Sequence, residues 1–590
     1  MNYERTLRCL LGSLALLAAT ACLAEEHYDV IVEREVAARM RDGTVLRADV
    51  YRPKADGQFP VLLQRSPYDK HISAGSALRG AARGYVVVIQ DVRGRYTSEG
   101  EWYPFKYESQ DGFDTVEWAA ALPGSNGKVG MFGSSYVGAT QMLAAMAAPP
   151  HLAGIFPCIT ASNYHDGWTY QGGAFEQLFN ELWTSGLALD TLTRRAQPRD
   201  YVLRRIFELP LQSFPLFDAG AESGSKGTLS ALAPYYIDWL AHPVYDDFWK
   251  QVSIEEHFSM IKVPALHLGA WYDIFQRGTL RNYVGIKERG ASLEARQGQR
   301  LMVFTSGHAG AGQIIGEVDF GKNSVIDTDE IMLRWYDYLL KGAKNGLENE
   351  KPVKIFVLGK NVWREEDDWP LARAQSTRFY LHSQGKANSL SGSGTLNTEA
   401  PQAEPADRFV YNPAEPVPTR GGALCCSIQK VSGALDQRPI EARDDVLVFT
   451  TPPFKQDFEV TGPVSLELFA DSSAVDTDFT AKLVDVWPNG FAQNLTDGIL
   501  RARYRNSQEK PEFMNPGEVY RFTIDMVATS NVFLKGHKLR LEVSSSNFPR
   551  FDRNLNTGEE AAQGTRGGKA TNTIYHDHAH PSALVLPVVP

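Results

Sequence analysis

Ser135 stands between glycines in the segment Gly133–Gly138, which follows a buried apolar run and precedes a helix-forming run. A sharp strand-to-helix turn needs small neighbours, because its central residue is strained and its flanks meet closely. At such a turn the Ser135 hydroxyl would project above the sheet, and the Tyr136 amide would face a developing oxyanion. The pattern departs from a strict G-x-S-x-G, since Val137 occupies the position of the second glycine. It predicts nucleophilic chemistry at Ser135.

A serine nucleophile needs a general base and a carboxylate that orients this base. Asp273 follows the apolar run that ends at Tyr272, and His308 follows the apolar run that ends at Gly307. Taken singly, a loop aspartate is a turn former and a histidine is unremarkable. The chain order serine, acid, histidine is the order of α/β hydrolases, so the three positions together favour a triad of Ser135, Asp273 and His308.

The elements that must position these residues are parallel strands. Short apolar runs alternate with helix-forming stretches from Val30 to about Pro150, and the alternation returns between 263 and 340. Runs such as Tyr85–Gln90 are typical of buried strands. The pattern predicts a parallel sheet covered on both faces, with the site just beyond the carboxyl ends of its strands.

Between about Thr160 and Lys262 this alternation disappears. Phe175, Phe179 and Trp183 recur at i, i+4 and i+8, which places them on one face of a helix. The segment predicts a helical insertion, and its aromatic stripe is favoured as the insertion's own core over a substrate wall.

Past Pro352 the apolar residues mostly alternate at period two, in runs such as Val464–Phe469, Tyr520–Ile524 and Lys538–Val543. Turn residues separate these runs, and no long helical pattern interrupts them. This is typical of an all-β sandwich or jelly roll.

The predicted fold class is therefore α/β, with a helical cap inserted in a hydrolase core and a C-terminal all-β jelly-roll domain. Residues 1–24 form a leader, 25–160 and 262–350 the split core, 161–261 the cap and 351–590 the β domain. A chain of 590 residues has room for three or four domains.

Several segments, taken in order, resemble the cocaine-esterase (CocE/NonD) and X-prolyl dipeptidyl-peptidase hydrolases, a family related to the α-amino-acid ester hydrolases and glutaryl acylases. The similarity spans nearly all of the mature chain. It rests on Arg65–Lys70, the Ser135 turn, Gly269–Phe275, the His308 segment, Asp476–Asp485, Ala528–Phe533 and Ser544–Pro549.

The resemblance implies an α/β-hydrolase core in which Ser135 is the nucleophile, His308 the general base and Asp273 the residue that orients it. It also implies that the Tyr68 phenol is an oxyanion donor beside the Tyr136 amide. Without the resemblance, the sequence predicts only a packed turn residue at Tyr68.

The same resemblance suggests an apolar acyl pocket built from Trp168, Trp271 and Phe275. Relatives that act on amino esters carry clustered acidic residues that hold a substrate ammonium. Here Asp166 stands alone at the start of the cap, which does not favour recognition of an amine.

Five cysteines are present, and two of them, Cys9 and Cys22, belong to the leader. The remaining Cys158, Cys425 and Cys426 are odd in number and show no zinc-ligand spacing, so no disulfide framework is predicted. We expect Cys425 and Cys426 to be buried apolar residues.

Two further features have simple interpretations. The histidines of His576–His580 could bind a metal, but a solvated tail is the favoured reading. Arg93 and Arg95 are expected to pair with local carboxylates such as Asp91 and Glu99, because the segment lacks the spacing of a phosphate-binding loop. Neither a metal nor another cofactor is expected.

Residues 1–24 are typical of an export signal, with Arg5 and Arg8 before the apolar stretch 10–23. This stretch falls short of the ~20 residues that a membrane span needs, and no other segment suggests a span. We expect an exported protein, periplasmic or secreted, with lipidation at Cys22 as an alternative.

The net charge of −10 argues against a broad nucleic-acid surface, and 43% hydrophobic residues is ordinary globular usage. The leading hypothesis is a serine hydrolase that cleaves a small-molecule or peptide-like ester or amide through an acyl-enzyme. An X-Pro dipeptidyl-peptidase and a β-lactam acylase are alternatives within enzymes. The alternative outside enzymes is an exported carbohydrate-binding protein.

Overall fold

The structure is a computed structural model that describes residues 27–194, 206–207, 209–213, 232–308, 312–427, 430–560 and 562–590. The predicted leader lies outside the described residues. Strands are numbered in chain order: β1 (Val30–Arg39), β2 (Val45–Pro53), β3 (Phe59–Ser66), β4 (Val86–Asp91), β5 (Ser125–Ser134), β6 (Leu152–Cys158), β7 (Tyr170–Gln171), β8 (Ala174–Phe175), β9 (Ala265–Tyr272), β10 (Gln299–Gly307), β11 (Ile314–Ile315), β12 (Val318–Asp319), β13 (Val353–Val357), β14 (Val362–Glu366), β15 (Gln375–His382), β16 (Thr395–Asn397), β17 (Asp407–Tyr411), β18 (Leu447–Thr450), β19 (Phe458–Ser472), β20 (Asp478–Val486), β21 (Ala492–Arg501), β22 (Tyr520–Phe533), β23 (Lys538–Ser544), β24 (Ala570–Tyr575) and β25 (Ala583–Val589).

The α-helices of the described residues are numbered in the same way: α1 (Ala74–Ala82), α2 (Glu108–Ala120), α3 (Tyr136–Met146), α4 (Gln177–Arg194), α5 (Pro234–Ala241), α6 (Asp247–Lys250), α7 (Ile254–His257), α8 (Gln276–Arg289), α9 (Leu293–Gln297), α10 (Thr328–Lys341) and α11 (Arg438–Glu441).

One sheet carries the N-terminal part of the molecule, with the strand order β1-β2-β4-β3-β5-β6-β9-β10-β13-β14. Strands β4 to β13 of this order run parallel, whereas β1, β2 and β14 pair antiparallel at the edges. Both faces are covered, because Val61 and Leu63 enter one apolar cluster and Leu62, between them, enters another. The predicted doubly covered parallel sheet is confirmed.

Between β6 and β9 the chain leaves this sheet. The described residues there form the helices α4 to α7 and the small hairpin β7–β8, in agreement with the predicted helical insertion. The predicted boundary between core and β domain at 350/351 stays a prediction, and the core sheet continues past it through β13 and β14.

The C-terminal part is all-β, with the strand order β17-β24-β19-β25-β15-β16-β18-β23-β20-β21 and with β22 paired to β19. Its apolar side chains join those of β9, β10 and β13 in one cluster, so the two sheets share a core. No helix of the described residues has the length and apolarity to cross a membrane.

The turn between β5 and α3 depends on close packing at Gly138. A Cβ there would lie 2.7 Å from the Thr160 Cβ and 3.0 Å from the Cys158 carbonyl oxygen. We expect Gly138→Ala to lower the free energy of unfolding by about 1–3 kcal/mol, because the backbone of the neighbouring segment must move. Chemical unfolding measures this change.

Gly75 in α1 provides the matched control, because a Cβ there would meet nothing within 4 Å. Gly75→Ala should leave stability unchanged or raise it slightly, since alanine favours helix over glycine by up to about 1 kcal/mol. A Gly138→Ala protein as stable as the Gly75→Ala protein would contradict the close packing of this turn.

Candidate active site

Ser135 occupies the turn that the sequence predicts. Strand β5 ends at Ser134, α3 begins at Tyr136, and Ser135 between them has φ 64° and ψ −127°. A Cβ at Gly133 would lie 2.3 Å from the Val137 Cγ1, so the turn tolerates only glycine there. The turn thus presents the Ser135 hydroxyl at the carboxyl end of β5, as expected of a nucleophile.

His308 and Asp273 meet Ser135 at this edge of the sheet. The His308 Nε2 lies 2.9 Å from the Ser135 Oγ, and the His308 Nδ1 lies 2.6 Å from the Asp273 Oδ1. The second oxygen of Asp273 accepts a hydrogen bond from the Phe275 amide at 3.0 Å, and Asp273 is buried. With the Nδ1 proton donated to Asp273, Nε2 is left to accept the Ser135 proton.

Two donors stand beside the Ser135 hydroxyl. The Tyr68 hydroxyl lies beside the Ser135 side chain, and burial raises the pKa of Tyr68 to about 12. The phenol therefore keeps its proton at neutral and moderately alkaline pH. The Tyr136 amide is the first N–H of α3 and has no carbonyl partner within the helix.

The Tyr136 hydroxyl is held by residues of the core at the start of α3. It accepts a hydrogen bond from the Phe105 amide at 2.8 Å and donates to Glu108 at 3.1 Å. Glu108 is in turn paired with the buried Arg65 at 2.7 Å. Tyr136 thus offers its backbone to the site and its side chain to the core.

An aromatic cluster lies beside His308. Phe275 stacks on Trp168 with a centroid distance of 4.4 Å and meets the His308 ring edge-on at 5.1 Å. Trp168 also contacts Phe179 and Trp183 of α4. The stripe predicted as the insertion's own core therefore also borders the site.

Trp271 does not join this cluster. Its indole donates to the Phe356 carbonyl at 2.7 Å and packs on Trp369, in the core shared with the β domain. Trp271 is the next-to-last residue of β9, and its role as a pocket residue stays a prediction.

Asp166 forms salt bridges with two arginines. Its carboxylate lies 2.9 Å from Arg277 and 3.2 Å from Arg281. Burial opposes the charge on Asp166, but the two arginines outweigh it and lower the pKa of this carboxyl. Asp166 is therefore an ionised, fully paired group, and it has no charge to spare for a substrate ammonium.

The two adjacent cysteines differ from expectation. Cys425 and Cys426 form a disulfide, with Cys425 buried and Cys426 exposed. The prediction of two buried apolar cysteines was wrong, since oxidation of neighbouring thiols leaves no trace in the apolar pattern.

His576 also differs from expectation. It is buried rather than part of a solvated tail, and its Nε2 lies 2.9 Å from Asp407. Burial disfavours its charged form, but the hydrogen bond to Asp407 outweighs this and raises the pKa of His576.

Arg93 and Arg95 pair with carboxylates as predicted, but their partners are mostly distant in sequence rather than the local Asp91 and Glu99. Arg93 forms a bidentate pair with Asp111 and a second pair with Asp42. Arg95 lies 3.5 Å from Asp190 of the cap.

Among the described residues, one group of side chains is close enough together to share a metal ion. Its ligand atoms, from Glu35, Asp49 and His71, lie within 4.8 Å of one another. Arg34 donates to Asp49 at 3.0 Å, and Lys70 lies 2.8 Å from Glu35. The two carboxylates are thus already compensated by cations.

One contact at the site was not predicted. The Trp183 Nε1 donates to the Tyr68 hydroxyl at 2.9 Å. The signal available in the sequence was the aromatic stripe itself, because a buried indole N–H usually finds a hydrogen-bond partner.

The α/β sheet and the hydrogen-bonded serine, histidine and aspartate are those of a serine hydrolase. Residues 42–310 match the X-Pro dipeptidyl-peptidase (S15) family, and residues 345–585 match the X-Pro dipeptidyl-peptidase C-terminal non-catalytic domain. The chain is 40% identical over 575 residues to a cocaine esterase of Rhodococcus sp. (strain MB1 Bresler), covering 95% of this chain and 98% of the relative.

Two solved structures are similar along nearly their whole length. An aminopeptidase from the marine sediment archaeon Thaumarchaeota archaeon has a TM-score of 0.79 at 26% identity, covering 97% of this chain and 98% of that one. An α-amino acid ester hydrolase has a TM-score of 0.78 at 25% identity, covering 96% and 97%. The chain belongs to the X-Pro dipeptidyl-peptidase (S15) family. Within it, the protein is a serine hydrolase of the CocE/NonD type.

The cap contributes a buried carboxyl group whose titration can be measured. Glu181 of α4 accepts hydrogen bonds from the Gln177 side chain and the Phe207 amide, both at 2.8 Å. Burial raises the pKa of Glu181 from its ordinary 4.5 to about 8. Because the folded state favours the protonated form, stability is lost as the pH rises from about 4.5 to about 8.

Glu181→Gln removes this titration while keeping the size of the side chain. We expect a higher melting temperature than wild type at pH 8.5 and no difference at pH 5, measured by scanning calorimetry. Glu348→Gln, at an exposed position, is the control and should show no such pH-dependent gain. A Glu181→Gln protein whose melting temperature follows wild type at both pH values would contradict the raised pKa.

Proposed function

We propose that the protein hydrolyses esters through an acyl-enzyme formed on Ser135. The observation that carries the proposal is the continuous hydrogen-bond chain from Asp273 through His308 to Ser135, with two oxyanion donors beside it. Its similarity to a cocaine esterase over nearly the whole chain supports the same reaction.

In the first half of the reaction, the Ser135 Oγ attacks the carbonyl carbon while His308 Nε2 takes the Ser135 proton. The electron pair of the C=O bond moves to the oxygen, and this oxyanion is stabilised by the Tyr68 O–H and the Tyr136 N–H. Asp273 stabilises the imidazolium. The tetrahedral intermediate then collapses, and the leaving alkoxide takes the proton from His308.

In the second half, water attacks the acyl carbon and gives its proton to His308. The same two donors hold the new oxyanion. Its collapse releases the carboxylic acid, and the proton returns from His308 to the Ser135 oxygen. The cycle consumes one water and regenerates the free enzyme.

The acyl group that suits the site is apolar and aromatic. We infer that Trp168, Phe275 and Phe179, which pack against one another beside His308, border the acyl group, since aromatic rings favour stacked or edge-on contact with one another. Since Asp166 is fully paired, the described residues give it no role in holding a substrate ammonium. We therefore rank aryl esters above X-Pro peptides and amino-β-lactams as substrates.

Comparing two chromogenic substrates tests this proposal. We expect 4-nitrophenyl benzoate to be hydrolysed with a kcat/KM at least about 100-fold above that of glycyl-prolyl-4-nitroanilide, because only the second needs an anchor for its amine. Ser135→Ala should lower hydrolysis of the ester by about 10⁴-fold or more.

Ser134→Ala is the matched control, because it removes the neighbouring hydroxyl and should retain activity. Full ester hydrolysis by Ser135→Ala would overturn the proposed nucleophile. A preference for the prolyl anilide would leave the nucleophile in place and replace the substrate class.

We also propose that residues 1–24 direct export and are removed. The basic residues before the apolar stretch and the small residues before Glu25 support this. Fractionation and intact mass after expression in a Gram-negative host measure it: we expect periplasmic or secreted protein that begins at Glu25. A chain that begins at Cys22 and carries lipid would indicate anchoring, and cytoplasmic protein that keeps its leader would contradict export.

A further inference from the structure

The cap reaches the proposed oxyanion hole through Trp183. The Tyr68 side chain comes from the loop after β3, whereas the indole that donates to its hydroxyl comes from α4 of the cap. Trp183 is buried, and it also packs on the Tyr136 ring with a centroid distance of 5.9 Å. One side chain of the cap therefore contacts both residues that supply oxyanion donors.

Arg95 also links the Tyr68 loop to α4. Its side chain is only 1% exposed, and its Nε donates to the Pro67 carbonyl at 2.9 Å, one residue before Tyr68. Its Nη1 donates to the Leu187 carbonyl at 2.9 Å, one helical turn after Trp183. The guanidinium thus fixes the spacing between the Tyr68 loop and α4.

Asp190 holds this arrangement in place. It accepts a hydrogen bond from the Tyr96 amide at 3.1 Å and lies 3.5 Å from the Arg95 guanidinium. Three contacts, from Pro67, Leu187 and Asp190, therefore fix Arg95 between the core and the cap.

A hydrogen bond accepted by a phenol oxygen has two effects on its O–H group. It occupies a lone pair of the phenol oxygen, so the phenol proton points away from the Trp183 indole. It also polarises the O–H bond, so that the phenol becomes a stronger donor. Both effects change the reaction rate only when the Tyr68 O–H donates to the oxyanion.

We propose that Trp183 and Arg95 are positioning residues that hold the Tyr68 hydroxyl as an oxyanion donor, so that the docked cap completes the oxyanion hole of the core. This inference rests on the proposed function of Tyr68. The reacting atoms contact neither Trp183 Nε1 nor the Arg95 guanidinium; both act through Tyr68.

A double-mutant cycle on hydrolysis of 4-nitrophenyl benzoate tests Trp183. Tyr68→Phe should lower kcat by about 100-fold with little change in KM, as for other oxyanion donors. Trp183→Phe should lower kcat by about 5- to 10-fold, because one buried hydrogen bond is lost. In the Tyr68→Phe background, Trp183→Phe should change kcat by less than about 2-fold.

Trp249→Phe is the matched control. Trp249 is a buried indole of the same cap whose Nε1 donates to the His242 carbonyl at 2.8 Å, so the substitution costs a comparable hydrogen bond away from Tyr68. It should leave kcat within about 2-fold of wild type. If Trp183→Phe does not fold, 3-benzothienylalanine at position 183 keeps the shape of the indole and removes only its donor.

A second cycle tests Arg95. Arg95→Met should lower kcat in wild type and have no further effect in the Tyr68→Phe background. Arg93→Met is its control, since Arg93 pairs with Asp111 and Asp42 rather than with the Tyr68 loop or the cap.

Each outcome of the two cycles has a defined meaning. A loss from Trp183→Phe, or from Arg95→Met, that is equally large with and without the Tyr68 hydroxyl would overturn that residue's positioning role and leave the proposed function intact. An unchanged kcat in Trp183→Phe would do the same. An unchanged kcat in Tyr68→Phe would overturn both the inference and the proposed oxyanion hole.

Discussion

Ser135 has a backbone conformation that L-amino acids rarely adopt, and the surrounding structure is built to fix it. Its amide donates to the Cys158 carbonyl at 3.0 Å, and its own carbonyl accepts from the Gly138 amide and from the Thr160 hydroxyl. Strain of this kind persists only where neighbours over-determine the conformation. The close packing at Gly133 and Gly138 holds Ser135 in this conformation. The turn therefore fixes where the Ser135 hydroxyl lies relative to the other groups of the site.

The three parts of the molecule then contribute different groups to one reaction centre. Strands β5, β9 and β10 of the core each end one residue before Ser135, Asp273 and His308. The cap supplies Trp168 and Phe179 of the aromatic cluster beside His308, and it supplies the hydrogen bond to Tyr68. The β domain holds the cap in place, because the Phe175 amide donates to Asp552 at 2.7 Å and the Leu178 amide donates to the Pro549 carbonyl at 2.9 Å.

This division explains which features the sequence could predict. The positions of Ser135, Asp273 and His308 follow from local turn chemistry and from strand order, since parallel strands end at one edge of a sheet. The helical cap and the all-β domain follow from the change of hydrophobic period along the chain. The residues of the site were thus predictable wherever a local pattern carried them.

Other features depend on contacts between segments that are distant in sequence. The hydrophobic pattern along the chain does not record such contacts. The side chain of Trp271 meets the β domain, and no local signal says which neighbour covers a strand end. His576 is buried because Asp407, far away in the chain, compensates it. The hydrogen bond from Trp183 to Tyr68 joins residues of two domains. The composition indicates that such aromatic residues are available, and only the fold determines their partners.

A crystal structure with phenylboronic acid tests most directly that one reaction centre is assembled from these parts. The expected result is a tetrahedral boron bonded to the Ser135 Oγ, with one boronate oxygen about 3 Å from both the Tyr68 hydroxyl and the Tyr136 amide. The phenyl ring should lie against Trp168 and Phe275. A boronate oxygen that points away from Tyr68, or a boron bound elsewhere than Ser135, would contradict it.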